Sequence, residues 1–341
     1  YRRQRQMCIR DRNKALKSKD LLKNFARFIE YYRPGYVLVE NVPGIITNKD
    51  SILPYFLRKL EDLGYKNPVY KVVDMSYYGV PQSRRRFSLI ATRLENVNIH
   101  LPKADDKETV LADYLGERNG FPKVSAGHKD SSVFNHTVAG LSDVCLKRLA
   151  KTKHDGGNRL DWANDPELQL PCFVGKDDCF KDTFGRMWWH RPASTITTKF
   201  YSISNGRFGH PEEDRALSLR EGATLQTFPK TYVFKTNSIA ATAKLIGNAV
   251  PCEYARRLGE TIKALENNGL NMIFFMLTNI LTETTELICE GQGALQLAGK
   301  AFHQDIELLE EEGLKEPVLR LPGVVSRKKQ LIPELMLAEQ E

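Results

Sequence analysis

Paired cysteines are missing from this 341-residue sequence, although it contains six cysteine residues. No two of them form a CxxC pair, and none has a histidine at the spacing of a metal site, so the sequence predicts no structural metal. Unpaired cysteines are typical of a reducing compartment, and we expect a cytoplasmic protein. The six are Cys8, Cys145, Cys172, Cys179, Cys252 and Cys289.

Long apolar runs are also missing. The most apolar stretch, Met272 to Leu277 with its flanks, is far shorter than the roughly 20 residues that a membrane helix needs. The sequence therefore predicts no membrane partner.

Acidic residues are in the minority, with 42 Asp plus Glu against 50 Lys plus Arg and a formal net charge of +8. This balance favours a polyanionic partner, with nucleic acid as the first hypothesis and solubility alone as the alternative. The 41% hydrophobic content and the length are those of a globular protein with room for two domains.

The N-terminal stretch YRRQRQMCIRDR, residues 1–12, has neither helical nor strand periodicity. Met7 to Asp11 reads like the translation of a transposon end used to prepare sequencing libraries. We therefore expect an artefactual leader from a cloning or assembly junction, with a basic disordered tail as the alternative. If so, the natural chain was cut upstream and begins here near Asn13.

A buried strand that ends on an acid and an amide is the first candidate for a site. The apolar run Tyr36 to Val39 ends on Glu40 and Asn41. An amphipathic helical pattern from Leu53 to Leu60 and a second apolar run, Val69 to Val73, complete a strand–helix–strand pattern that predicts a parallel sheet. Ligands bind beyond the carboxyl ends of such strands, where Glu40 and Asn41 are expected. A solvated carboxylate at a strand end is the alternative.

A basic loop leads into another buried strand, Phe87 to Thr92. Arg84 and Arg86 have the spacing of two that points both side chains the same way, provided that the strand begins this early. Two guanidiniums near a backbone can bind phosphate, carboxylate or the oxygen edge of a base through forked donors. A basic run alone is more typical of a solvated surface.

Five motifs in this sequence resemble, in the same order, those of the DNA cytosine-5 methyltransferases. Glu40-Asn41-Val42 resembles the family's ENV motif, and Gln82 to Arg86 fits its QxRxR motif. The other three resemble the end of the target-recognition region and the ninth and tenth motifs. They are Arg191 to Thr198, Arg215 to Glu221 followed by Leu225 to Pro229, and Ile246 to Pro251.

The resemblance implies methyl transfer from S-adenosylmethionine to C5 of a cytosine that is flipped out of duplex DNA. In the family a cysteine thiolate adds to C6 of the base. Glu40 carries over as the carboxyl group at N3 and the exocyclic amine, and Arg86 as the guanidinium at the O2 oxygen. Arg84 is expected to orient Glu40 or the loop that carries the nucleophile. Gln82, on the DNA-contacting side, is expected to help shape that loop.

Four further site residues carry over from the resemblance. Thr197 and Thr198 fit the family's backbone-contacting element for DNA. Asn248, with Ala249, fits the contact to the methionine part of S-adenosylmethionine, and a plain helix-entry turn is the alternative. The basic loop from Lys151 to Arg159 is suited to phosphate, with an ordinary solvated loop as the alternative.

The implied fold class is α/β: a partial Rossmann-like S-adenosylmethionine-dependent methyltransferase sheet, a smaller target-recognition domain and a helical C-terminal extension. After the leader, we expect residues 13–96 to be the C-terminal half of the catalytic domain and 97–199 the target-recognition domain. Residues 200–268 return to the catalytic domain. Residues 269–341 form an extension of unknown role, with a solvated helical tail as the default and a fused helical interaction module or extra coding sequence as the alternatives.

Two family motifs do not occur in the sequence: the Pro-Cys-Gln nucleophile loop and the glycine-rich cofactor turn, both upstream of ENV in the family. We therefore expect an N-terminally truncated enzyme of restriction-modification or phage type, inactive and poorly stable as this chain alone. A non-catalytic DNA-binding remnant is one alternative, although binding alone does not need Glu40, Arg84 and Arg86 together. An RNA cytosine-5 methyltransferase is the other.

Overall fold

The computed structural model describes residues 21–95 and 97–265 together with three two-residue strands further along the chain, so the expected leader lies outside the described residues. Among the described residues, no helix is long and apolar enough to cross a membrane. The helices and strands are α1 (21–32), β1 (Tyr36–Asn41), α2 (Gly44–Thr47), α3 (Leu53–Asp62), β2 (Val69–Asp74), β3 (Arg85–Thr92), α4 (Asp143–Lys151), α5 (Leu219–Leu225), α6 (Ile239–Asn248), α7 (Cys252–Leu265), β4 (Met276–Leu277), β5 (Leu308–Leu309) and β6 (Val318–Leu319).

One sheet, with the strand order β2-β3-β1-β4, organises the first part of the chain. β3 runs antiparallel to both β1 and β2, so those two strands point the same way without being neighbours. The expected parallel sheet is therefore wrong for these pairings. β3 lies inside the sheet and six consecutive residues of it are buried, whereas the edge strand β2 has a single buried residue. β4 pairs with β1 in parallel over two residues.

Helices cover both faces of this sheet. α1 and α3 pack on one face, where the stacked rings of Phe25 and Phe56 lie against Phe87 of β3. α7 packs on the other face and contributes Tyr254 to a core that contains Ile90. The result is a three-layer α/β arrangement in which β1 and β3 are almost completely buried.

α3 forms as its pattern predicts. The hydroxyl of Ser51 accepts a hydrogen bond from the backbone N–H of Leu53, and Pro54 fills the first turn, where no donor is needed. Its apolar face is buried, and the helix ends just before Gly64, whose φ of +88° favours glycine.

Residues 97–199 consist mainly of loops and short 3₁₀ turns, with α4 as their one α-helix among the described residues. The buried Arg186 ties α4 to the returning chain, because its guanidinium donates to the carbonyls of Leu149 and Thr152 and to those of His210 and Glu213. The division into a recognition domain and a returning catalytic segment stays a prediction.

The described part of the C-terminal extension consists of β4, which joins the main sheet beside β1, and the short antiparallel pair β5 and β6. The predicted helix elsewhere in residues 269–341 lies outside the described residues.

Candidate active site

The ends of β1 and β3 bring Glu40 and Arg86 together. Glu40 is the fifth residue of β1 and pairs in register with Ser88, two residues after Arg86. The Nε of Arg86 lies 3.1 Å from Oε1 of Glu40, and the two side chains are only 13% and 4% exposed. The pairing of β1 with β3 therefore places the Glu40 carboxylate and the Arg86 guanidinium, both singled out from the sequence, in contact with each other.

The two arginines of the basic loop lie on the same side, as their spacing predicts. β3 begins at Arg85, whose side chain is exposed, whereas Arg84 is buried and Arg86 is half-buried. The pKa of Arg84 is lowered to about 9, chiefly by burial and next by the nearby Arg86, and the attraction of Glu40 opposes this only in part. Burial also lowers the pKa of Arg86, and Glu40 opposes this shift. Because two guanidiniums lie close to a single carboxylate, this site favours the binding of a ligand group that carries additional negative charge.

A hydrogen-bond donor without a partner lies next to this pair. Asn41 follows Glu40 at the end of β1, and its side-chain oxygen accepts a hydrogen bond from the backbone N–H of Val42. Its Nδ2 is buried and has no hydrogen-bond partner among the described residues. Because buried polar groups are nearly always paired, an unpaired amide at a strand end is typical of a ligand site.

Arg84 reaches two distant segments with its terminal nitrogens. Nη1 donates to the carbonyl of Ile196, and Nη2 donates to the carbonyls of Gly247 and Ala249. The guanidinium thus lies between the segment of Thr197 and Thr198 and the start of the tenth-motif turn.

Gln82 is completely buried, and both ends of its amide are used by protein groups. Its Oε1 accepts from the backbone N–H of Ile196, and its Nε2 donates to Leu225 O and to Oε1 of Gln226. A direct contact of Gln82 with DNA stays a prediction, and it requires the amide to leave these partners.

The remaining predicted residues lie around the Arg84 guanidinium. Thr197 is exposed and Thr198 half-buried, both in the segment that Arg84 holds at Ile196. Asn248 and Ala249 are half-buried at the end of α6. The Asn248 side chain has no hydrogen-bond partner among the described residues, so its amide is available to a ligand.

The basic loop is divided in its exposure. Arg159 is fully buried and donates to the carbonyls of Lys176 and Cys179, whereas Lys151 and Lys153 are exposed. Of the Lys and Arg side chains in this loop, the two lysines are therefore at the surface and the arginine is not.

Two buried residues near the site were not assigned a role from the sequence. Tyr254 of α7 donates its hydroxyl to Ser88, the residue opposite Glu40, and burial raises its pKa. Helical spacing marks Tyr254 only as apolar, so no signal in the sequence points to this contact. Gln226 donates to the carbonyls of Ile246 and Ala249, and its place within the ninth motif was the available signal.

Within the described ranges, no three His, Cys, Asp or Glu side chains converge as ligands.

Known proteins resemble this chain in sequence. A family model for C-5 cytosine-specific DNA methylases matches residues 10–264. The chain is 35% identical over 249 residues to the Type II methylase M.HgiDII of Herpetosiphon aurantiacus, covering 71% of this chain and 68% of the relative. It is 30% identical over 238 residues to the Type II methyltransferase M1.BsuMI of Bacillus subtilis strain 168, covering 68% of this chain but 52% of the relative.

A solved structure supports the fold alone. The crystal structure of a prophage-encoded E. coli protein, described as a DNA modification methyltransferase, matches with a TM-score of 0.55 and 19% identity. The match covers 73% of this chain and 75% of that chain.

A second family model, for the DHHA2 domain, matches residues 240–338 and so spans most of the C-terminal extension.

The order of the motifs and the meeting of Glu40 with Arg86 agree with the match over residues 10–264. The chain belongs to the C-5 cytosine-specific DNA methylases, a family of enzymes that methylate DNA with S-adenosylmethionine as the methyl donor.

Proposed function

We propose that this chain is the base-recognising part of a DNA cytosine-5 methyltransferase of a restriction-modification system, acting on a cytosine flipped out of duplex DNA. The observation that carries the proposal is the 3.1 Å contact between Glu40 and Arg86 in a buried position at the carboxyl end of β1. A structural ion pair would not need the second buried arginine or the unpaired amide of Asn41 beside it.

The two side chains supply complementary chemistry to one pyrimidine ring. Cytosine presents an acceptor at N3, a donor at its exocyclic amine and an acceptor at O2. The Glu40 carboxyl group shares a proton with N3 and accepts from the amine, and the Arg86 guanidinium donates to O2. When a thiolate adds to C6, negative charge develops on the ring, and these contacts at N3 and O2 stabilise it.

That thiolate does not come from a cysteine in a matching position among the described residues. Cys145, Cys172 and Cys179 belong to the segment proposed for target recognition. Cys252 lies at the start of α7, and burial raises the pKa of its thiol to about 11, so little thiolate forms at neutral pH. Transfer by this chain therefore needs a nucleophile from outside the described residues.

The tenth-motif turn fits the methionine end of S-adenosylmethionine. The free, half-buried amide of Asn248 can bind the charged groups of an amino acid, while the carbonyls of Gly247 and Ala249 are turned to Arg84. The cofactor, when bound, supplies the methyl group. Thr197 and Thr198 offer hydroxyl groups to the DNA backbone at the neighbouring segment.

The proposal is tested by base discrimination in binding. We expect the purified chain to bind a duplex with one unpaired cytosine about tenfold more tightly than the same duplex with unpaired uracil, because uracil turns an acceptor toward the carboxylate. Fluorescence anisotropy measures both affinities. Glu40→Ala should abolish the preference.

Glu30→Ala is the matched control, since Glu30 forms only an exposed ion pair with Lys59. Equal affinity for the two duplexes in the parent chain, or a preference that survives Glu40→Ala, would contradict the proposed function.

A further inference from the structure

Two side chains bind the two backbone polar groups of a single residue, Ile196. The backbone N–H of Ile196 donates to Oε1 of Gln82 at 3.0 Å, and its carbonyl accepts from Nη1 of Arg84 at 3.0 Å. Gln82 and Arg84 are two residues apart in one segment. Together they form a rigid fork, two side chains from one segment that bind Ile196 and so fix the position of the residues that follow it, Thr197 and Thr198.

The same fork holds the tenth-motif turn. Nη2 of Arg84 lies 3.2 Å from the carbonyl oxygens of both Gly247 and Ala249. Gln82 donates to Gln226 at 2.9 Å, and Gln226 in turn donates to Ile246 and Ala249 at 2.7 and 3.2 Å. The carbonyls of Gly247 and Ala249 are therefore bound directly by Arg84, and the carbonyl of Ile246 is linked to Gln82 through Gln226.

The two segments also touch directly, with no space between them. A Cβ atom built on Gly247 would lie 2.4 Å from the carbonyl carbon of Thr197 and 2.5 Å from the backbone nitrogen of Thr198. Real Cβ atoms do not approach backbone atoms this closely, so only glycine permits the contact. A shift of either segment is thus transmitted to the other.

Water cannot replace these bonds without opening the core. Arg84 is 1% exposed, and Gln82 and Gln226 are completely buried. A buried carbonyl that loses its donor bears the full cost of desolvation, so the junction favours either the closed arrangement or a cooperative opening of both segments.

We propose that Arg84 is a positioning residue that couples the DNA-contacting segment, Thr197 and Thr198, to the cofactor segment, Asn248 and Ala249. The proposal rests on the proposed function for the identity of the two ligands. Ordering of one segment by its ligand orders the other through the Arg84 guanidinium, and such coupling is reciprocal. The role differs from contact with the base, which belongs to Glu40 and Arg86.

Amide hydrogen exchange of the purified chain without DNA tests the junction itself. Arg84→Gln should raise the exchange rates of residues 194–200 and 244–250 together, by about tenfold or more, while β1 and β3 keep their protection. Arg85→Gln is the matched control, because it removes the same charge from the exposed neighbouring side chain. A change in only one segment, or in neither, overturns the proposal.

Hydrogen exchange measured with duplex DNA bound tests whether ordering of residues 194–200 also orders residues 244–250. A merely structural role of Arg84 would not produce this coupling. In the parent chain, duplex DNA should slow exchange in both segments. In Arg84→Gln it should slow exchange at 194–200 and leave 244–250 unchanged. Transmission that survives Arg84→Gln overturns the coupling. If DNA protects neither segment in the parent chain, the proposed DNA binding fails, and the measurement without DNA still decides the coupling.

A second pair of variants keeps the test valid if Arg84→Gln does not fold. Gly247→Ala leaves Arg84 intact but pushes the segments apart, so it should raise exchange in both. Gly259→Ala is the control, since a Cβ there meets nothing within 4 Å. Unchanged exchange in Gly247→Ala would overturn the proposal as well.

Discussion

The Glu40 carboxylate lies where water contributes little to its solvation, so the stability of this site depends on its charge partner. Arg86 is the cation that the structure places against it, at 3.1 Å. Burial of both charges costs free energy that their attraction only partly returns. Such a pair adds little to stability as a whole, but the loss of one member removes the contact that offsets the burial of the other.

Arg86→Met should therefore destabilise the chain by about 3 kcal/mol, because it keeps the volume and removes the cation that contacts the buried Glu40 carboxylate. Urea unfolding followed by tryptophan fluorescence measures the change. The double variant Glu40→Gln with Arg86→Met should recover most of the loss. If the double variant is as unstable as the single one, the charge of Glu40 is not the cause.

At the scale of residues, the sequence predicted which side chains meet but not what else they hold. Glu40 and Arg86 were predicted as one site, and the sheet register brings them together. The partners of Arg84 were not predicted, because they are backbone carbonyls of Ile196, Gly247 and Ala249. A backbone acceptor carries no signal in the residue type.

The short helix α5 begins with a reciprocal cap that a buried ion pair reinforces. Ser218 accepts from the N–H of Glu221, and Glu221 accepts from the N–H of Ser218. The guanidinium of Arg215 binds both oxygens of Glu221 at 2.7 and 2.8 Å. Burial raises the pKa of Glu221, but the opposing attraction of Arg215 prevails and lowers it to about 2.

This cap predicts a loss of stability in acid. The folded pKa of about 2 is below the ordinary 4.5, so the contribution of Glu221 is fully present above about pH 5 and is lost as the pH falls toward 2. The contribution is on the order of 3 kcal/mol. Urea midpoints measured across this pH range give the slope, and Glu221→Gln should flatten it. An equal slope in the variant would contradict the assignment to Glu221.

α5 also packs too closely on the core to accept a side chain at Gly222. A Cβ there would lie 2.2 Å from the ring of Phe200. Gly222→Ala should cost about 1 to 3 kcal/mol from overpacking, as measured by thermal unfolding. In α7, by contrast, Gly259→Ala should stabilise by about 0.5 to 1 kcal/mol through helix propensity alone. A neutral Gly222→Ala would show that Phe200 moves away at no cost.

Elements were easier to predict than their pairing. The periodicities predicted α3, β1 and β3 correctly, because each buries one face or runs wholly through the core. The predicted parallel pairing was wrong, since β1 and β2 carry similar apolar runs and only the return of β3 between them decides the order.

For the whole molecule, the formal charge of +8 is the feature that any DNA binding must reflect. Two phosphate contacts already give about a tenfold loss of affinity between about 50 and about 200 mM salt, through counterion release. We expect at least this loss for a duplex, measured by anisotropy titrations. An affinity that does not change with salt would exclude backbone contacts as its source.

Recognition of the target base requires Glu40 and Arg86 to bind one extruded pyrimidine between them. A crystal structure of this chain with a duplex that carries one unpaired cytosine tests this most directly. It should show the base out of the stack, with the Glu40 carboxyl group at N3 and the exocyclic amine and the Arg86 guanidinium at O2. A base that stays stacked while Glu40 and Arg86 remain paired with each other would contradict it.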